Sequence, residues 1–198
     1  ISGATIDNAS PIVLGHLSKN IRIAVLKSPI VDEDVEVSAS IRIVNANNLG
    51  KEDFIKNETA TEEMLDFAST LVNYNISMCI AGGTGSGKTT LTDWILETLE
   101  NKRIFTIESG SREFDLVKRD KNGKIKNSVI HTITRPSEND NLSIEQEDLL
   151  AVSLRFHPDV ICGGEMRDKE AFSAQEAART GHTVITTVHS NDCRSTYK

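Results

Sequence analysis

Apolar and polar positions alternate through residues 22–43. Ile21, Ile23 and Val25 are separated by polar or small residues, and so are Val35, Val37, Ile41 and Ile43. A period of two buries one face of an extended chain, so this stretch predicts β structure. Ser28-Pro29 and residues 31–34 supply the turn. Asn45-Ala46-Asn47-Asn48-Leu49-Gly50 is polar and ends in glycine, which predicts a linker and a domain boundary. The period then changes. Thr59 with Glu62 has capping-box spacing, and Met64, Leu65, Ala68, Leu71 and Val72 recur at helical intervals.

Beyond this helix the pattern shortens and repeats. Residues 76–81 are a near-continuous apolar run between Asn75 and Gly82, as a strand covered on both faces requires. Residues 89–100 predict a helix with Leu91, Trp94, Ile95 and Leu99 on one stripe. Residues 103–107 predict another strand. Residues 114–118 and 124–134 are expected to pair as a hairpin about the Asn-Gly turn at 120–123. Ser143 with Gln146 predicts a second capping box, opening a helix to about Arg155. Residues 159–162 read as a strand, 168–179 as a helix and 183–188 as a strand. Strands alternating with helices need crossover connections. The expected fold is α/β, a mostly parallel sheet with flanking helices.

Composition narrows the field. Twenty-two Lys and Arg against 29 Asp and Glu leave a formal charge of −7. The densest basic stretch, residues 118–126, contains Asp120 and sits on the expected turn, so no direct nucleic-acid partner is predicted. Cys79, Cys162 and Cys193 lack the spacing of a disulfide framework or a zinc site. They indicate a reducing, cytoplasmic setting. No apolar run nears the roughly 20 residues that span a bilayer, so no transmembrane segment is expected. The chain starts at Ile1 without a methionine, so targeting information is not readable from it.

Gly82-Gly83-Thr84-Gly85-Ser86-Gly87-Lys88-Thr89 matches the phosphate-loop pattern in full, between an apolar strand and an amphipathic helix. Glycines let the backbone aim successive N–H groups at phosphate oxygens. The helix that follows adds its positive end. Gly83, Thr84, Gly85, Ser86, Gly87, Lys88, Thr89 and Thr90 are therefore the candidate ATP ligands. Lys88 is suited to the β and γ phosphates, the Thr89 hydroxyl to Mg²⁺, and Thr90 to the α phosphate.

Hydrolysis also needs a positioned water and stabilised charge. The run Val160-Ile161-Cys162-Gly163-Gly164-Glu165 is an apolar strand that ends in two glycines and a carboxylate. A strand-end glutamate is commonly a plain solvated group. Downstream of a phosphate loop, Glu165 becomes the candidate water-orienting group or general base, and a candidate Mg²⁺ ligand through water. Glu108 ends a second strand and is expected to face the same crevice; Glu113 is a weaker candidate. His189 ends the last strand, where an imidazole could report hydrolysis by hydrogen bonding. His182 has an ordinary surface or interior reading that is as good.

These motifs, in this order, resemble the secretion ATPases of type II and type IV systems. The likeness is closest to the branch that serves Tad/Flp pilus assembly and conjugative secretion, and it covers nearly the whole chain. The loop at Gly82 to Thr90 has the family's GGTGSGKTT form. The family's acidic box of the form IED appears as Ile107-Glu108-Ser109 with Glu113 beyond it, so Ser109 stands where an Asp is usual. Thr134-Arg135-Pro136 looks like the family's Thr-Arg ahead of the next helix. Leu154-Arg155-Phe156-His157-Pro158-Asp159 and Gly163-Gly164-Glu165-Met166-Arg167-Asp168 are similar to its LRxxPD and atypical Walker B segments. Thr180-Gly181-His182 through His189-Ser190-Asn191 is similar to its His box.

The resemblance implies a RecA-like phosphate-loop core over residues 59–198, truncated at its C-terminus. Residues 1–44 would be the end of a smaller α+β N-terminal domain, and 45–58 the linker. It implies that Arg42, in Ser40-Ile41-Arg42, and Arg22 lean over the nucleotide as arginine fingers, and that Arg155 and Arg167 serve a subunit interface. It also implies a homo-hexameric ATPase motor at the cytoplasmic face of the inner membrane, coupling Mg-ATP hydrolysis to pilus assembly or export with inner-membrane platform proteins. Two other readings stand beside it: a RecA-like nucleic-acid translocase, and a regulatory module that binds nucleotide without hydrolysing it.

Overall fold

A computed structural model describes residues 5–18, 21–43, 49–110, 112–135, 143–165, 168–192 and 194–197. Strands β1 (Ile12–Ser18), β2 (Ile21–Lys27) and β3 (Val37–Ile43) form an antiparallel sheet in that order. β1 was not foreseen from the sequence, although Ile12, Leu14 and His16 carry the alternation opposite Leu26, Ala24 and Arg22. Central β2 pairs with β3 so that Arg22 faces Arg42. Residue 44 and the first expected linker residues, 45–48, lie outside the described set.

The second half of that linker is structured. Helix α1 (Lys51–Lys56) inserts Phe54 into the core, edge-on to Trp94 with ring centroids 5.9 Å apart. The next helix, α2 (Glu62–Asn73), is capped by Thr61, whose hydroxyl oxygen accepts from the Met64 amide; Thr59 lies outside it. Leu65 and Val72 are buried, but Met64 is exposed. Lys51 ties α1 to α2 through Glu62 and Asp66.

Five strands, β4 (Met78–Gly82), β5 (Arg103–Glu108), β6 (Ser128–Ile133), β7 (Val160–Glu165) and β8 (Thr183–His189), form one sheet in the order β4-β8-β7-β5-β6. All its pairs are parallel. Between them run α3 (Lys88–Glu97), α4 (Gln146–Ser153) and α5 (Asp168–Arg179). Both faces are covered. Ile104, Val160, Cys162 and Ile185 pack against α2 and α3 residues, whereas Phe105, Ile107, Ile161 and Val184 pack against α4 and α5 residues. Each fully buried apolar side chain contributes about 2 kcal/mol by removal from water.

The expected hairpin is reduced to one antiparallel bridge, Arg119 to Ile125. Its turn survives, with the Asp120 carboxylate accepting from the Asn122 and Lys124 amides. Residues 128–133 pair in parallel with β5 instead, because Val129 and Ile130 thereby join the two cores. The second predicted cap also moves. The Glu145 amide donates to Asp148, so α4 starts after Glu145 and not at Ser143. Thr134, whose own amide donates to the Glu108 carbonyl, and Arg135, which bridges Ile144, lie beyond β6; Pro136 is outside the described residues.

Candidate active site

β4 ends at Gly82, and the chain turns into α3 through the glycine loop. Gly87 caps that helix at φ 86°, a left-handed conformation that costs an ordinary residue roughly 1–2 kcal/mol. Gly82 answers a different need, since a Cβ there would lie 2.6 Å from the Ser86 hydroxyl. The first amides of a helix lack partners within it, so the loop presents donors to an anion. The Lys88 ammonium donates to the Gly82 and Gly83 carbonyls at 2.9 and 2.8 Å, which holds the cation at the mouth of the loop. Gly83, Thr84, Gly85, Ser86, Thr89 and Thr90 complete the turn and the first turn of α3.

Strand order lines up the other candidates. Gly82 sits opposite His189 in the β4–β8 ladder, and Glu165 opposite Thr187 in the β7–β8 ladder. The register slips between Gly163 and Glu165. A one-residue slip reverses the alternation of side chains, so the glycine pair sets which face Glu165 uses. Its carboxylate lies 3.4 Å from His189 Nε2, with both side chains partly exposed. Gln146, at the start of α4, donates to the Glu165 carbonyl at 3.4 Å. His182 precedes β8 at the opposite end of the sheet, about 20 Å along the strand from His189, and bonds Thr180. It is outside the crevice.

Glu108 departs from expectation. Its side chain has no exposed surface. Oε1 accepts from the Thr106 hydroxyl at 2.8 Å and lies 3.3 Å from His131 Nδ1. Oε2 accepts from the Glu113 amide and, at 3.0 Å, from the Phe114 amide. Burial pushes its carboxyl up, but hydrogen bonds from His131, the Glu113 amide, Thr106 and the Phe114 amide outweigh that and hold it below the usual carboxylate range. Glu108 thus grips the loop that follows it and presents no open carboxylate to the crevice.

Glu113, the weaker candidate from sequence, is where that loop leads. Its Oε2 accepts from the Thr89 hydroxyl at 3.4 Å, and its Oε1 pairs with the Arg22 guanidinium at 2.6 Å. Arg22, not Arg42, is therefore the small-sheet arginine whose contact reaches the loop region. Arg42 is exposed on the neighbouring strand, directly across from Arg22. Glu113 sits five residues past Glu108, and sequence spacing carries no signal that the chain folds back there. Arg155 lies in a single helical turn after α4, and Arg167 outside the described residues.

No group of three or more His, Cys, Asp or Glu side chains converges as a metal cage among the described residues. A hydroxyl from Thr89 beside the Glu113 carboxylate, with Glu165 at the end of β7, is a sparse set of hard oxygens. That fits Mg²⁺, which keeps waters and phosphate oxygens in its shell and takes one or two protein ligands.

Comparison with known proteins decides the family. The profile of type II/IV secretion system proteins matches residues 10–198. The chain belongs to that family. Uncharacterized protein MJ0900 of Methanocaldococcus jannaschii is 30% identical across 97% of this chain and 33% of its own length. The conjugal transfer protein TrbB of Rhizobium radiobacter is 28% identical across 96% of this chain and 55% of its own. The pilus retraction motor PilT, solved with bound ADP, superposes with a TM-score of 0.60 at 24% identity, covering 93% of this chain and 49% of that one. The chain thus spans about half, or less, of these relatives. The five-stranded sheet with its flanking helices is the RecA-like core of type II/IV secretion system proteins, and the three-stranded sheet precedes it. No described helix of this family member is long and apolar enough to cross a membrane.

Proposed function

We propose that the chain is the nucleotide-binding core of an ATP-hydrolysing motor for protein secretion or pilus assembly. The observation that carries this is the row of strand ends, where the loop at 82–90 lies beside His189, and His189 beside Glu165. In this reading the backbone of residues 83–90 and the Lys88 ammonium bind the phosphates, and Thr89 holds Mg²⁺ together with Glu165. The metal supplies charge neutralisation on the phosphate oxygens when bound. Glu165 orients the attacking water and takes its proton, and His189 fixes the pose of Glu165. Arg22 and Arg42 bring positive charge from the small sheet toward the γ phosphate. Glu108 acts at one remove, through the loop that carries Glu113.

The whole protein works as a homo-hexamer with inner-membrane platform proteins, in the cytoplasm at the membrane face. Its domains divide near residue 44. The likeness to the conjugal transfer protein TrbB and to the pilus retraction motor PilT supports a motor over a nucleic-acid translocase or a silent regulatory module. The deciding experiment uses the full-length protein. A fluorescent ATP analogue should bind the native protein and not Lys88→Ala, and phosphate release should follow only in the former. Nucleotide binding without any turnover, in the assembled oligomer, would favour the regulatory module.

A further inference from the structure

His131 is a buried imidazole with no place in the chemistry described so far. It stands mid-way along β6, with 6% of its side chain exposed. Its two nitrogens face opposite ends of one loop. Nδ1 lies 3.3 Å from Glu108 Oε1 and 2.9 Å from the Thr106 hydroxyl, just before the loop. Nε2 lies 3.4 Å from the Leu116 amide, just after it. An amide N–H can only donate, so Nε2 is the bare acceptor and the proton sits on Nδ1, toward Thr106 and Glu108. The Thr106 hydroxyl spends its own proton on Glu108, which leaves its oxygen to accept from Nδ1.

We propose that His131 is a positioning residue for the nucleotide site, a single ring that staples both ends of the 108–116 loop and thereby sets Glu113 between Thr89 and Arg22. The chain of contact is continuous. His131 and Thr106 fix Glu108, Glu108 receives the Glu113 and Phe114 amides, and Glu113 reaches Thr89 and Arg22 through its two oxygens. At its centre, the Thr106 hydroxyl, both Glu108 carboxylate oxygens and both His131 nitrogens all have partners, the condition under which such a network rigidifies a segment. The sheet alone does not require it, since an apolar side chain at this position would also pack between the strands. The inference rests on Glu113 and Thr89 belonging to the nucleotide site.

Amide hydrogen exchange and binding of a fluorescent ATP analogue, with and without Mg²⁺, test it in the full-length protein. His131→Phe keeps the ring and removes both nitrogens. It should speed exchange at Glu113, Phe114 and Leu116 about tenfold or more, leave β4 and β7 unchanged, and erase most of the Mg²⁺-dependent gain in affinity. His131→Asn restores a donor near Nδ1 without the Nε2 acceptor. It should recover protection at Glu113 and Phe114 while Leu116 stays fast. Uniform loosening of all strands, or an unchanged loop, overturns the proposal; should the Phe variant not fold, the split pattern in His131→Asn decides it. Lys88→Ala separates the underlying reading. If that variant binds nucleotide normally the site is wrongly placed, whatever the loop does.

Discussion

Arg22 and Glu113 form a 2.6 Å ion pair across 91 positions of sequence, joining the three-stranded sheet to the loop beside Thr89. Both side chains are mostly buried, so the pair is less screened than a surface contact. In a double-mutant cycle of Arg22→Ala with Glu113→Gln, denaturant unfolding should give a coupling on the order of 1 kcal/mol that shrinks in high salt. A coupling of zero would mean that the pair holds nothing together.

The same arginine should matter to turnover. Arg22→Ala and Arg42→Ala, in full-length protein, are each expected to lower kcat more than nucleotide affinity, with Arg22 the larger effect because it already reaches Glu113. A loss confined to affinity would make them binding contacts and not charge-stabilising fingers.

Glu165 and His189 should separate binding from chemistry. Glu165→Gln keeps the shape and loses the base, so nucleotide affinity should hold while hydrolysis falls by about 10²–10⁴. Equal phosphate release from both proteins would remove Glu165 from the chemistry. His189→Asn should lower kcat less than Glu165→Gln does.

Asp93 of α3 makes stability depend on pH. Burial pushes its carboxyl up to about 7, with Glu97, Asp115 and Glu108 adding repulsion, and its Oδ1 finds no hydrogen-bond partner. The folded state therefore holds a proton that the unfolded chain releases near the usual value of 3.8. Stability from this group is complete below that value and is lost as pH rises toward about 7. Asp93→Asn should raise the melting temperature at pH 8 and change it little at pH 4, in paired thermal scans. Glu108 has the opposite sign, its contribution being lost as pH falls below the ordinary carboxylate range, so the comparison is made variant against native at each pH.

Gly87→Ala tests the loop itself. At φ 86° an added Cβ is strained though nothing crowds it, so the variant should lose roughly 1–2 kcal/mol of stability and bind nucleotide more weakly. Unchanged stability would show that the loop adopts another conformation in solution.

Much of this molecule was legible along the chain because its signals are local. The phosphate loop is contiguous from Gly82 to Thr90, and the elements around it follow from short-range periodicity. The apolar runs ending in Glu108, Glu165 and His189 read as strands because a doubly covered parallel sheet needs residues apolar on both faces. What the strand ends do was not local. Glu108 and Glu165 look alike in sequence, each an acid closing an apolar strand. Only the packed structure separates them, because residues 113 and 114 fold back onto Glu108 while the slip at Gly163 and Gly164 brings Glu165 to His189. Arg22, Glu113 and His131 come from three separated segments, and their meeting depends on sheet order and loop closure. Residue type and spacing determined the phosphate loop and the α/β fold; tertiary structure decided which acid is buried as an anchor and which stays open, because burial and hydrogen-bond partners are set by the neighbouring strands.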